Sequence, residues 1–103
     1  MKVEQFLNRN QFHLYGEING EMHHILQSYD SKVVEIVNKN GYQLVTLGRD
    51  WDYSTTTSKH VYAFLEEYLS CEFNFNINSV KNKRKYVQDL IDDHTFGYNK
   101  EMY

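Results

Sequence analysis

Three turn signals about ten residues apart constrain this chain most: Asn19-Gly20, Asp30-Ser31 and Asn40-Gly41. Asn-Gly is the strongest short-range hairpin signal, because both residues tolerate the positive φ that a tight type I′ turn demands. The segments between them read as strands. Phe12, Leu14 and Gly16 alternate with His13, Tyr15 and Glu17 over Gln11 to Ile18, the period of a half-buried strand. A second strand follows from about Glu21 to Tyr29, with a less clean pattern. Lys32 to Val37 is rich in β-branched residues, and Tyr42 to Leu47 alternates again. Four short strands at this spacing imply an antiparallel meander.

The meander runs into a helix. Val61, Phe64, Leu65, Tyr68 and Leu69 fall at i, i+3, i+4, i+7 and i+8, the apolar stripe of a helix lying on a sheet. Ser54, Thr55, Thr56, Thr57 and Ser58 precede it, and each offers a side-chain oxygen able to cap the amides of the first turn. Ser79 is the expected N-cap of a second helix carrying Val80, Val87, Leu90 and Ile91 at helical spacing. Its basic residues come early and its aspartates late. That order opposes the helix dipole by about 0.3 to 1 kcal/mol for each misplaced exposed charge.

Three segments are less determined. Val3 to Leu7 favours a helical turn over a strand, given Glu4, Gln5 and Asn8 around Val3, Phe6 and Leu7. Cys71 to Ile77 alternates Phe73, Phe75 and Ile77 with polar residues and reads as a fifth strand or an extended connection. Thr95 to Tyr103 keeps aromatic residues without a period, and either docks or frays. The expected fold is therefore α+β, an antiparallel four- to five-stranded sheet packed against two helices, in a single domain over residues 1–103.

Composition narrows the function classes. With 103 residues and 41% hydrophobic residues, the chain suffices for one core without covalent or metal staples. Cys71 is the only cysteine, which rules out an intrachain disulfide and a four-thiolate zinc site. No run approaches the roughly 18 apolar residues of a membrane span, and the N-terminus lacks a signal-peptide pattern. A soluble cytoplasmic protein with no membrane contact is expected. Net charge is −3, yet Lys81, Lys83, Arg84 and Lys85 lie within five positions, so the remainder is more acidic still. Charge asymmetry of this kind bears on association.

No catalytic or cofactor signature is present: G-x-S-x-G, G-x-x-x-x-G-K-[ST] and G-x-G-x-x-G are all absent. His60 could serve as a base for Ser54, or pack at the edge of the stripe. His23 and His24 point to opposite faces of their strand, while the hairpin brings His13 near His24, where two imidazoles could bind zinc weakly or sense pH. Asp89, Asp92, Asp93 and His94 read as a solvated helix edge. Clustered hydroxyls at a helix start could hold an anion. Neither a metal nor a cofactor is expected. Nine tyrosines cannot all be buried in so small a domain, and tyrosine is enriched at interfaces.

With S-Y-D-S-K-V at Ser28 to Val33 and Y-S-T-T-T-S-K-H-V-Y-A-F-L at Tyr53 to Leu65, the chain resembles small uncharacterised accessory proteins of phages and prophages of low-GC Gram-positive bacteria. The resemblance spans about half the chain. It implies a phage accessory protein in the host cytoplasm, in a setting that includes inhibitors of host defence such as anti-CRISPR proteins. The resulting expectation is a non-enzymatic binding module, an inhibitor or regulator acting by protein contact on a host defence nuclease complex or a replication protein. Its expected contact residues are Tyr29, Trp51, Tyr53, His60 and Tyr62. The alternative is a nucleic-acid-binding accessory protein that uses Lys81, Lys83, Arg84 and Lys85.

Overall fold

The computed structural model describes residues 1–103. Strands β1 (Lys2–Phe6), β2 (Asn8–Ile18), β3 (Glu21–Ser28), β4 (Ser31–Lys39) and β5 (Tyr42–Gly48) precede helix α1 (Thr55–Tyr68). Two 3-10 turns, Cys71–Phe73 and Ile77–Ser79, lead to α2 (Lys83–Asp92) and a short β6 (Gly97–Asn99). The sheet runs β1-β2-β3-β4-β5-β6 in chain order. Its first five strands pair antiparallel, and β6 lies parallel to β5 with Thr46 opposite Gly97. The fold is thus α+β, with a six-stranded sheet rather than four or five strands.

The expected meander forms, with turns at Asn19-Gly20 and Asn40-Gly41 as expected and the middle one at Tyr29-Asp30, one residue before Asp30-Ser31, with Tyr29 at φ 54°. Asn19 and Gly20 both adopt positive φ, 52° and 82°, and Gly41 does so at 81°. A Cβ on either glycine would meet no atom within 4 Å, so these glycines are needed for their conformation rather than for space. Between β3 and β4 the register shifts at Leu26/Gln27. This bulge turns two consecutive residues, Val33 and Val34, into the interior, where both are fully buried.

Two local expectations are corrected and two open ones resolved. Val3 to Leu7 is a strand to Phe6, not a helical turn, because β2 supplies a complete ladder partner and such pairing outweighs weak local preference. Cys71 to Ile77 adds no strand. The free edge of β5 is taken by β6, and Asn74 sits in the left-handed region at φ 51°. Phe73 and Phe75 instead pack on Phe96, at ring-centroid distances of 6.0 and 6.2 Å. The cap of α2 is Asn82, whose Oδ1 accepts from the Lys85 amide at 3.0 Å, while Ser79 bonds the Asn76 carbonyl one turn earlier. The tail docks: Phe96 is buried, and the Arg49 amide donates to the Met102 carbonyl at 3.0 Å.

Both helices lie on one face of the sheet. Leu26, Val33, Val34, Ile36, Val45 and Leu47 from the strands meet Val61, Phe64 and Leu65 of α1 and Val87 of α2 in a single core. Phe6 at the end of β1 and Trp51, Ile77 and Phe96 from the connections complete it. No helix is long and apolar enough to cross a membrane.

Candidate functional site

The segment between β5 and α1 divides its residues between inside and outside. Trp51 is 2% exposed and sits in the core. Ser54 caps α1, its Oγ accepting from the Thr57 amide at 3.1 Å. Thr57 is itself buried, and its Oγ1 shares hydrogen bonds with Ser54 Oγ at 3.2 Å and Ser28 Oγ at 3.1 Å. Ser28 Oγ also accepts from Gln11 Nε2 at 2.9 Å. A polar thread thus runs from β2 through β3 to the start of α1. Gln11 Oε1, at its far end, is buried without a partner.

His60 does not assemble with Ser54 as a base. It is buried, and its Nδ1 donates to the Thr56 carbonyl one turn back at 2.7 Å, with no hydrogen bond to Ser54. Trp51 and His60, expected in a contact surface, are therefore interior residues. The tyrosines are placed differently. Tyr29 and Tyr53 are exposed and line a cavity of about 130 Å³ with Ser28, Ser31, Asp50 and Thr57. Tyr53 and Tyr62 line a larger groove of about 570 Å³, open between the starts of α1 and α2.

That groove brings together residues expected for two different partners. Lys83 and Arg84 line it beside Lys59, Asp52 and the hydroxyls of Ser54, Thr55 and Ser58. Arg84 is held by Asp52 Oδ2, to which Nη2 donates at 2.6 Å and Nε at 2.9 Å. Lys85 turns away and pairs with Asp89 at 2.9 Å. Lys81 precedes α2 and lies outside the groove. The basic run therefore does not act as a unit. Burial, more than any charge, raises the Tyr62 hydroxyl above its ordinary pKa, so it stays protonated and able to donate.

A second titratable cluster lies under the far end of α1. His13, only 3% exposed, contacts Glu4 Oε1 through Nδ1 at 2.8 Å and His24 Nδ1 through Nε2 at 2.8 Å. Tyr68 closes over the pair, its hydroxyl 3.1 Å from His13 Nδ1 and its ring stacked on His24. Burial and the neighbouring His13 both lower the His24 pKa. The expected proximity of His13 and His24 holds, although His13 lies in the interior and not on the sheet surface. No group of three or more His, Cys, Asp or Glu is arranged to hold a metal.

The opposite face of the sheet has no layer over it. Register places Val3, Leu14 and Ile25 in one row across β1, β2 and β3, with Phe12 beside them and Val37 opposite Leu44 further along. Val3 is 61% exposed and Leu44 47%, Phe12 and Leu14 are partly exposed, and Ile25 and Val37 are buried among their neighbours. Two ion pairs flank the apolar residues, His23 with Glu35 at 3.2 Å and Lys39 with Glu21 at 3.1 Å. Sequence reasoning missed this surface. Its signal was the adjacent apolar pairs Ile25-Leu26, Ile36-Val37 and Leu44-Val45, which give a strand two apolar faces where a one-sided sheet needs one.

Fold and surfaces together define a small α+β protein, with helices on one side of its sheet and no covering layer on the other, where exposed apolar side chains sit among ion pairs. The chain belongs to a family of unknown function, DUF8033, whose model matches residues 1–88. That span takes in the five-stranded meander, α1 and the first part of α2. No curated protein and no solved structure matches the chain.

Proposed function

We propose that the protein is a non-enzymatic binding module that acts by contact with a protein partner, as an inhibitor or regulator. The bare face of the sheet carries this reading. Val3 and Leu44 present apolar side chains to solvent, with Phe12 and Leu14 partly exposed on the same face, and such patches on small soluble proteins mark interaction sites. The ionisable pairs on the face, His23 with Glu35 and Lys39 with Glu21, already satisfy each other. A partner that fits it offers an apolar protein surface with few charges of its own, since an unmatched charge buried there would be costly. Nucleic acid, with its phosphates, does not suit this face. That the partner belongs to a host defence or replication system follows only from the phage-protein resemblance.

Hydroxyl-radical footprinting in a lysate of the source cells tests this. Phe12, Leu14 and Leu44 should lose reactivity when lysate is added, while Tyr29 and Tyr53 keep theirs. Unchanged reactivity on the sheet face, with protection confined to the tyrosines, would overturn the proposal. A second reading, contact with nucleic acid, draws support from Lys59 and Lys83, neither of which has an acidic partner. It concerns a different surface, the groove between the helix starts.

A further inference from the structure

We infer that the groove between the starts of α1 and α2 is a binding site for a phosphate group attached to a flat ring, that is, for a nucleotide. The inference is independent of the sheet-face proposal and uses other residues. Lys59, Lys83 and Arg84 converge on one concavity whose sole acid is Asp52. Asp52 spends one oxygen on Arg84 and holds that guanidinium in place. Two of the five guanidinium N–H donors are used there, and the others remain free for an incoming oxygen. Lys59 and Lys83 have no carboxylate within ion-pair distance.

Only Arg84 of these three cations is compensated by an acid, in an otherwise acidic chain of net charge −3. The chain could have neutralised the other two cheaply. Neither α1 nor α2 has an acidic residue in its first turn, where one would be favourable, and α2 instead opens with Lys83 and Arg84. An anion seated between them relieves both the mutual repulsion of the cations and the misfit with the helix dipoles. Amides at the start of α1 add to the field, but the three cations carry it.

The remaining lining fits a phosphate ester better than a bare ion. Thr55 and Ser58 supply hydroxyls along one wall, suited to phosphate or sugar oxygens, beside Ser54, whose own hydroxyl is committed to Thr57. Tyr53 stands at the rim with 81% of its surface exposed, an open aromatic face on which a base can stack. A groove of about 570 Å³ lies within the usual size of small-molecule sites. The same chemistry is offered by a free nucleotide and by one residue of a single strand.

Titrating the whole ¹⁵N-labelled protein with four probes tests the inference: a nucleoside 5′-monophosphate, its nucleoside, inorganic phosphate and a short single-stranded oligonucleotide. The monophosphate should shift amides of Thr55 to Lys59 and Lys83 to Lys85, more tightly than phosphate, while the nucleoside produces no saturable shift. Lys83→Glu and, separately, Lys59→Met should weaken it about tenfold. Tyr53→Ala should weaken the monophosphate and leave inorganic phosphate unaffected. Tighter binding of the oligonucleotide than of the monophosphate identifies a strand as the source, and the reverse a free nucleotide. Absence of groove shifts with every probe, or a nucleoside that binds as well as its monophosphate, would overturn the inference. So would shifts that survive both lysine substitutions in variants with wild-type melting temperatures.

Discussion

The two faces of the sheet invert the usual arrangement of polar and apolar residues. Beneath α1 the sheet buries Gln11, His13 and Ser28 alongside its aliphatic residues, each tied to a named partner. On the uncovered side it shows Val3 and Leu44 to solvent and leaves Phe12 and Leu14 partly exposed. Hydrophobicity alone would have turned Phe12 and Leu14 inward and left His13 outside. The difference teaches that the register is set by the whole sheet. In β3 and β4, Leu26, Val34 and Ile36 outweigh the choice made by β2, since slipping one strand by a residue would turn its entire set over. Apolar side chains left outside by that choice are then available to a partner.

Truncating equivalent side chains on the two faces gives the largest expected contrast. Phe64 is fully buried, with its ring 5.4 Å from Phe6 and 4.8 Å from Tyr68. Phe64→Ala should cost about 3–5 kcal/mol in denaturant unfolding, the usual price of a large aromatic cavity. Leu44→Ala, across the sheet, should cost less than about 1 kcal/mol. Similar losses at both positions would mean that the bare face is already packed against something in the free protein.

A smaller effect probes the polar thread. Ser28→Ala removes the acceptor of Gln11 Nε2 and a partner of Thr57 Oγ1 together. Leaving buried groups unpaired should cost about 1–3 kcal/mol. Gln11→Met should cost less than Ser28→Ala, because Gln11 Oε1 is unpartnered already and its amide is replaced by a group of similar shape. If Gln11→Met proves the worse of the two, an unseen partner satisfies that oxygen.

How much of this was legible from the sequence varies with the range of the forces involved. Asn19-Gly20 and the stripe Val61, Phe64, Leu65 act locally, and both formed where expected. β6 exists through pairing with the distant β5, which no window of local residues records, whereas β1 pairs with the adjacent β2 through a tight reversal at Leu7 that carries no Asn-Gly signal. Asn82 took the cap from Ser79 because the 3-10 turn at Ile77 delays the helix by one turn. Among the expected contact residues, Tyr29 and Tyr53 are exposed and Tyr62 half-exposed, whereas Trp51 and His60 were drawn inside by the chain reversal after β5. Lys83 and Arg84 share a groove with Tyr53 and Tyr62 only because α2 folds back beside α1. Which face of the sheet stays bare depends on where the helices land.

The histidine pair gives a pH effect confined to the covered face. Burial and His13 hold the His24 pKa below its ordinary 6.5 in the fold. The unfolded chain therefore binds the proton more readily. Stability is fully present above about pH 6.5 and declines as pH falls below that value towards the depressed pKa. His24 is faced by His13 and Tyr15 of β2 and by Tyr68 of α1, with Glu4 of β1 reached through His13. Replacing His24 with Gln should flatten the decline in urea midpoint between pH 7 and pH 5. An unchanged slope would assign it to other groups.

Smallest of all should be the effect on stability of charging the bare face. Val3→Lys with Leu44→Lys should move the unfolding free energy by no more than about 0.5 kcal/mol per site, since both side chains are solvated. The same double variant tests the proposed function most directly, by quantitative affinity capture from the source-cell lysate beside wild type and a Lys59→Glu, Lys83→Glu groove variant. Proteins enriched by wild type should be retained by the groove variant and lost by the sheet-face variant. Equal recovery by the sheet-face variant, or no protein enriched by wild type, would contradict the assignment of that face to a protein partner.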